Sequence, residues 1–301
     1  MKLNSEGKIN EFISVAGNSL YPAYIIKGSK KNLMIDAGIN LFGPLYLKTL
    51  DEILGDKKKL DYLFVTHSHY DHLGSLPYLK KKLPQLITGG FPYINNLLKK
   101  ESVLAWMNKL SEIQREMFKD IVGDEKVTIE TMELYLNLRE EDKIDLGGLT
   151  CEVYETPGHT KDCLSYFIPE IKALFPGEIV GVPDWPTGEK VEVEFLSSYQ
   201  DYLNSIKRLI DLKPKFMGLG HKWFFTDEDV TNFLEKSYQE TIKYKSFLED
   251  QLAKVDNNLE KARDEITRIE YDEPGTRFQE RSAYLANLEA QLKHILKLKK
   301  N

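Results

Sequence analysis

Two hydrophobic periodicities divide the chain. As far as about residue 226, apolar residues come in short runs separated by Gly, Pro, Asn and charged clusters. Ile9 to Val15, Ala23 to Ile26, Asn32 to Ile35, Tyr62 to Val65, Val127 to Leu138, Leu149 to Glu155, Leu164 to Ile168, Ala173 to Phe175 and the run from Phe216 toward His221 all read as strands. Lys27-Gly28-Ser29-Lys30-Lys31 is a hairpin-turn signal between two of them. Helical spacing appears in Leu41 to Leu54 after Gly43-Pro44, in the long stretch from Phe91 to Lys119, and in Ser198 to Leu212, where Tyr202, Ile206, Leu209 and Ile210 share a face. Strands and helices alternating in this way predict an α/β fold.

The pattern changes at Asp227. Residues 228–271 are almost free of Gly and Pro, and Leu248, Leu252, Val255, Leu259, Ala262, Ile266 and Ile269 step by four and three. That is an a/d seam of coiled-coil type. Pro274-Gly275 ends it, and Leu285, Leu288, Leu292 and Ile295 repeat the spacing. The expected layout is a domain over 1–226, with a helical insert at about 91–120, and a coiled-coil-like helical hairpin over 227–301. The seam has three ways to be covered: internally, on the core, or across a homodimer.

Composition narrows the function classes. At 301 residues, 42% hydrophobic and 29% charged, the chain has the make-up of an ordinary globular protein with a sizeable core. A formal net charge of −6 and a pI near 5.7 argue against general nucleic-acid binding. No apolar run approaches the roughly 20 residues of a membrane span, and the first residues lack the apolar core of a secretory signal. Two cysteines, Cys151 and Cys163, are too few for a disulfide framework, so buried thiols and a cytoplasmic location are expected.

The candidate chemistry sits at Thr66-His67-Ser68-His69-Tyr70-Asp71-His72, directly after the Tyr62–Val65 run. Three imidazoles and a carboxylate within six residues, on a loop at a strand end, are a donor set for Zn, Fe or Mn rather than for Mg or Ca. His67 and His69 can converge on one ion while Asp71 and His72 turn toward another, so two metals are expected. Of the six histidines, His159 in Thr156-Pro157-Gly158-His159-Thr160 and His221 in Gly218-Leu219-Gly220-His221 also follow strand-like runs in Gly-bearing turns. His294, on a helical pattern, is read as an ordinary surface or interhelical residue.

The order HxHxDH, PGHT, an acidic residue after a strand, then GxGH resembles the metallo-β-lactamase superfamily, with Asp36-Ala37-Gly38 similar to its DxG. The resemblance implies a four-layer αβ/βα sandwich with a dinuclear site at one edge of its two sheets. It places His67, His69 and His159 on one metal and Asp71, His72 and His221 on the other. A carboxylate should bridge them where the family has Gly-Asp; here Gly177-Glu178 stands in register, with Asp184 as the other candidate. Asp36 either supports the metal loop or caps its own turn, and Asp162 is placed to accept a hydrogen bond from a ligand imidazole. Trp106 and Met107 either line an apolar acyl pocket under a helical lid or belong to a core stripe.

Such a pair activates water for attack on an electrophilic carbonyl or phosphorus, with Asp71 orienting the nucleophile and passing on its proton. Without a Cys ligand the set resembles the glyoxalase II and lactonase branches. HxHYDHxGxLPYL, the insert and the helical tail are similar to the quinolone-signal thioesterases, which favours a thioester or ester, acyl-CoA-type substrate. Lactonase or phosphodiesterase activity is the alternative within the fold. A non-catalytic metal- or ligand-binding protein with a degenerate site, owing to Glu178, is the alternative outside it.

Overall fold

The computed structural model describes residues 1–277 and 279–299, so residues 278, 300 and 301 of the expected 227–301 extension lie outside the described residues. The chain forms two compact units that interleave along the sequence. The first comprises residues 1–155, 162–177 and 215–227; the second comprises 156–161, 178–214 and 228–301.

The first unit holds two seven-stranded mixed sheets. In one, the strands lie side by side in chain order: Gly7–Lys8, Ile13–Gly17, Pro22–Lys27, Asn32–Ile35, Tyr62–Phe64, Ile87–Gly90 and Leu136–Asn137. The first four meander antiparallel and the rest add in parallel. Tyr62–Phe64 therefore has parallel neighbours on both sides, Asn32–Ile35 and Ile87–Gly90, which explains its unbroken apolar run. The other sheet runs Lys2–Asn4, Trp223–Thr226, Phe216–Gly218, Ala173–Phe175, Leu164–Ile168, Thr150–Glu155, Lys143–Asp145. Residues from both sheets form one core. Tyr24 meets Phe175 at 5.1 Å between ring centroids and Phe64 meets Tyr166 at 5.9 Å, with Ile26, Ile35 and Val153 buried in the same cluster.

The helices of this unit are α1 (Gly43–Leu54), α2 (Tyr70–Leu73), α3 (Leu76–Lys82), α4 (Tyr93–Leu97) and α5 (Glu101–Ile113). Helix α1 starts at Pro44 and stops at Gly55, whose φ of 70° is left-handed. Sheets flanked by helices give the sandwich expected from the sequence. Three expectations are corrected. The helical stretch expected from Phe91 to Lys119 is two helices that stop at Ile113, and the chain breaks between them at Leu98–Lys100, where Lys100 is extended. Val127–Leu138 is not a strand beyond Leu136–Asn137. Its alternating Val127, Ile129 and Leu134 are buried, but Asn side chains stand in for a partner strand: Ile129 N–H donates to Asn108 Oδ1 and Leu134 N–H to Asn95 Oδ1, both at 2.8 Å. The strand expected over Ile9–Val15 is Ile13–Gly17, because Asn10 Oδ1 accepts from the N–H groups of Phe12 and Ile13 and turns the chain.

The second unit contains a short ribbon, Val182–Pro183 with Val191–Glu192, and helices α6 (Tyr199–Asp211), α7 (Glu228–Lys254), α8 (Leu259–Thr267) and α9 (Arg281–Leu298). The a/d seam does not run through one rod. It breaks after α7, where Asp256 and Asn257 have φ of 53° and 58° and Asn258 caps α8 by accepting from Lys261 N–H. Asp and Asn tolerate that conformation better than other side chains, so Asp256-Asn257-Asn258 is a stop signal that the periodicity concealed. Leu248, Leu252, Ala262, Ile266, Leu288, Leu292 and Ile295 are buried within one chain, and α7, α8 and α9 pack on one another. No helix among the described residues is long and apolar enough to cross a membrane. Cys151 and Cys163 are buried and form no disulfide.

Helix α6 begins at Ser198, whose side chain accepts from Asp201 N–H, and its first N–H, from Tyr199, donates to His294 Nε2 at 2.9 Å. His294 is thus a cap contributed by α9, and only its neutral form can accept. Burial, then Lys297, hold its imidazole below the ordinary value, against Asp201. A folded pKa below the unfolded one means the stabilisation is complete above the unfolded value of about 6.5 and is lost as pH falls through it. The melting temperature of the wild type should therefore fall between pH 7 and pH 5 more steeply than that of His294→Gln, which accepts without titrating. Parallel profiles of the two proteins would remove this cap from the account.

Candidate metal centre

In the first unit the loop is set by one carboxylate. Asp36 ends the strand beside Tyr62–Phe64, is buried, and has a φ of 63°. It accepts from Thr66 N–H at 2.7 Å, from the Thr66 hydroxyl at 3.0 Å, and from His72 Nδ1–H at 2.9 Å. Because the Thr66 hydroxyl hydrogen goes to Asp36, its oxygen is left to receive His67 Nδ1–H at 3.0 Å. The same carboxylate therefore fixes the tautomers of His67, through Thr66, and of His72 directly, leaving Nε2 of both as a lone-pair donor. His221 reaches the same state by another route: its Nδ1–H donates to the Leu20 carbonyl at 2.8 Å.

These groups are close together. The His67 ring lies 4.6 Å from His69 and 4.2 Å from His72, and His72 lies 5.3 Å from His221. Asp71, His72 and His221 each offer a donor atom within 4.8 Å of the others, and so do His67 and His69. Asp71 Oδ2 is 3.6 Å from His221 Nε2. Two residues that carried no motif, Tyr21 and Gln114, join Tyr70 of the loop around these groups. The Tyr21 ring stands edge-on to His221, its hydroxyl donates to Gln114 Oε1 at 2.6 Å, and Gln114 Nε2 donates to the Tyr70 hydroxyl at 2.7 Å. The segment after α5 is thereby tied to the metal loop. Met107 is buried, in keeping with a core stripe, whereas Trp106 is 47% exposed under Lys109. Asp162 is buried just before the Leu164–Ile168 strand.

In the second unit the loop 156–161 rests on α6. A Cβ on Gly158, whose φ is 140°, would lie 2.3 Å from Tyr202 Cα, so only glycine permits this approach. Ser205 Oγ–H donates to the Pro157 carbonyl at 2.8 Å. His159 Nδ1–H donates to the Glu194 carbonyl at 2.8 Å, and its Nε2 lies 2.9 Å from Glu178 Oε2. Glu178 thus meets a candidate ligand. The carboxylate of Asp184 instead accepts from the N–H groups of Thr187, Glu189 and Lys190 and from the Thr187 hydroxyl, holding its own turn together. Burial alone would lower the His159 pKa, but the charges of Glu178 and Glu194 prevail and raise it. Glu194 is pushed up to about 7 by burial and by the charge of Glu178. The sequence signal for Glu194 was faint: one acid between Val193 and Phe195 in a strand-like run.

The donor set fits divalent metals. Five imidazoles and two carboxylates in these two units are buried or half-buried, and those whose Nδ1 is occupied present Nε2. Nitrogen and oxygen donors of this kind suit Zn, Fe or Mn.

The family model for the metallo-beta-lactamase superfamily matches residues 17–221. A metallo-beta-lactamase fold-containing protein of Sulfurisphaera tokodaii is 31% identical over 66% of this chain and 71% of its own length. A hydroxyacylglutathione hydrolase of Rhodopseudomonas palustris is 30% identical over 40% of this chain and 34% of its own. Among solved structures, a metallo-beta-lactamase family protein of Thermus thermophilus aligns with 99% of this chain and 93% of its own, at a TM-score of 0.65 and 17% identity, a likeness of fold.

Asp36→Ala would strip one acceptor from a buried N–H, a hydroxyl and an imidazole together. Each lost partner costs on the order of 1–3 kcal/mol, so the metal-free variant should unfold at clearly lower denaturant, and metal binding at His72 should weaken by about 10–100-fold. Chemical denaturation of the metal-free protein checks the first part and titration with a competing chelator the second. An unchanged denaturation midpoint would show that Asp36 does not hold the loop.

Proposed function

This chain belongs to the metallo-beta-lactamase superfamily, whose fold binds divalent metals and whose members include metal-dependent hydrolases, and we propose that it is a dinuclear-metal hydrolase of thioesters or related esters. The observation that carries the proposal is the set of imidazoles whose Nδ1–H groups are already committed to Asp36, Thr66, Leu20 and Glu194. Histidines so fixed have one use left for Nε2, to donate a lone pair.

By motif, His67, His69 and His159 would hold one ion, Asp71, His72 and His221 would hold the second, and Glu178 would supply the acid that the motif expects after the Ala173–Phe175 strand. Zn, Fe or Mn ions bound there would supply Lewis acidity and make water acidic enough to attack near neutral pH. The chain's own part is orientation and proton handling. Asp71 Oδ2, beside His221, is the atom we assign to orient the attacking water and receive its proton. Tyr21 and Tyr70, held by Gln114, wall that side of the first unit.

The thioester choice rests on two supports. No cysteine stands among the donors, which sets the chain apart from the cysteine-ligated members, and one relative is a hydroxyacylglutathione hydrolase. Two buried, unbridged thiols suit a reducing compartment such as the cytoplasm.

Protein produced with Fe, Mn or Zn supplied should carry two ions per chain and hydrolyse a generic aryl thioester. Asp71→Asn should lower kcat by about 10²–10⁴-fold, while Glu178→Asp should keep both ions. Full occupancy with no turnover of thioesters, esters, lactones or phosphodiesters would overturn the hydrolase reading. One ion or none would overturn the dinuclear one.

A further inference from the structure

In the second unit, the segment that accepts from His159 is itself gripped by the C-terminal helices. Three successive residues are each held by a different side chain. Arg277 Nη1 lies 3.4 Å from Glu192 Oε2, Gln291 Nε2 donates to the Val193 carbonyl at 2.9 Å, and Asn287 Nδ2 donates to Glu194 Oε2 at 3.1 Å. Asn287 and Gln291 are one helical turn apart on α9 and so share a face. Val193, Glu194, Phe195 and Gln291 are all buried. The next atom along is the Glu194 carbonyl oxygen, which takes the Nδ1–H of His159 at 2.8 Å.

We propose that Asn287 and Gln291 are positioning residues of the metal centre, fixing through Val193 and Glu194 the tautomer and ring orientation of His159. The inference rests on His159 being a metal ligand, as in the function proposed above. Its physical content is that an amide locked at two consecutive residues cannot rotate its carbonyl away. Glu194 therefore keeps its backbone oxygen at 2.8 Å from the imidazole Nδ1, with its side-chain Oε2 4.0 Å from the same nitrogen. Loss of the two α9 amides removes these holds on Val193 and Glu194, while Arg277 and the ribbon pairing act earlier in the segment, at Val191 and Glu192. A His ligand whose outer hydrogen bond loosens then costs metal affinity.

The same two amides explain why a helical tail is joined to a metal-binding fold in one chain. Asn287 also neutralises part of the burial penalty on the Glu194 carboxyl by donating to it. Leu288, between them in sequence, is buried on α9 but belongs to the helix seam. It provides a comparison that loosens α9 while leaving both amide side chains in place.

The test uses the full chain loaded with cobalt, reading ion content, the visible spectrum and the rate of metal transfer to a chromophoric chelator. Asn287→Ala, Gln291→Ala and the double variant should release one of two ions faster, the double variant by about 10–100-fold, with a changed cobalt spectrum. Leu288→Ala should lower the melting temperature while leaving spectrum and release rate as in the wild type. Wild-type release from the Asn287 and Gln291 variants would overturn the inference, as would equal acceleration in Leu288→Ala, since α9 would then act only through stability. A wild type that binds no cobalt would fail at the first step and refute the metal-site reading itself.

Discussion

One carboxylate in a left-handed turn underlies the histidine loop of the first unit. Asp36 ends a parallel strand and accepts from the backbone and hydroxyl of Thr66 and from His72. It therefore joins two sequence-distant pieces, the strand end at 36 and the loop from 66 to 72. The cost of its φ of 63° is modest for aspartate, which populates this region more readily than most residues. What it gains is a loop whose donors point one way before any ion arrives. Preorganisation of that kind lowers the entropy a ligand set must lose on binding.

The second unit solves the same problem with more charge. His159 donates its Nδ1–H to the Glu194 carbonyl, and its other nitrogen faces Glu178 at 2.9 Å. Glu178 and Glu194 together raise the pKa of His159, and burial with the charge of Glu178 raises that of Glu194. A buried cluster with two acids beside one imidazole holds a proton where a divalent cation would replace it. Ion binding and proton binding thus compete for the same charge balance, and the neighbouring helices must hold the geometry that charge alone leaves loose.

How legible all this was depended on whether a residue's role is local. The HxHxDH loop, the Pro-Gly-His turn and the strand before each were readable because a strand end plus a short loop fixes its own geometry. Asp36 was half readable: DxG marks a turn, but only the folded sheet shows that its oxygens meet Thr66 and His72. Glu194 and Gln114 were not readable, since each acts on groups tens of residues away and neither sits in a motif. The helical tail misled for the opposite reason. Its heptad spacing is genuine and most of its positions are buried, yet Asp256 and Asn257 turn the chain inside the repeat. Periodicity reports which face is buried, not whether the helix is continuous. The false strand at 127–138 teaches the same about alternation: Asn95 and Asn108 supply the hydrogen bonds that a neighbouring strand would have given.

The glutamate at 178 gains a structural meaning from these constraints. The residue before it, Gly177, has a φ of 59°, and a Cβ there would come within 2.9 Å of Thr66 in the first unit, so the backbone entering this position has little room to shift. An extra methylene relative to aspartate must then be taken up by the side chain and by what it meets. In the second unit it meets His159 Nε2. The position of that imidazole is set by the Glu194 carbonyl, and the segment carrying the carbonyl is set by α9. An acid of unusual length at the centre and a helical tail at the end of the chain are, on this view, two parts of one arrangement.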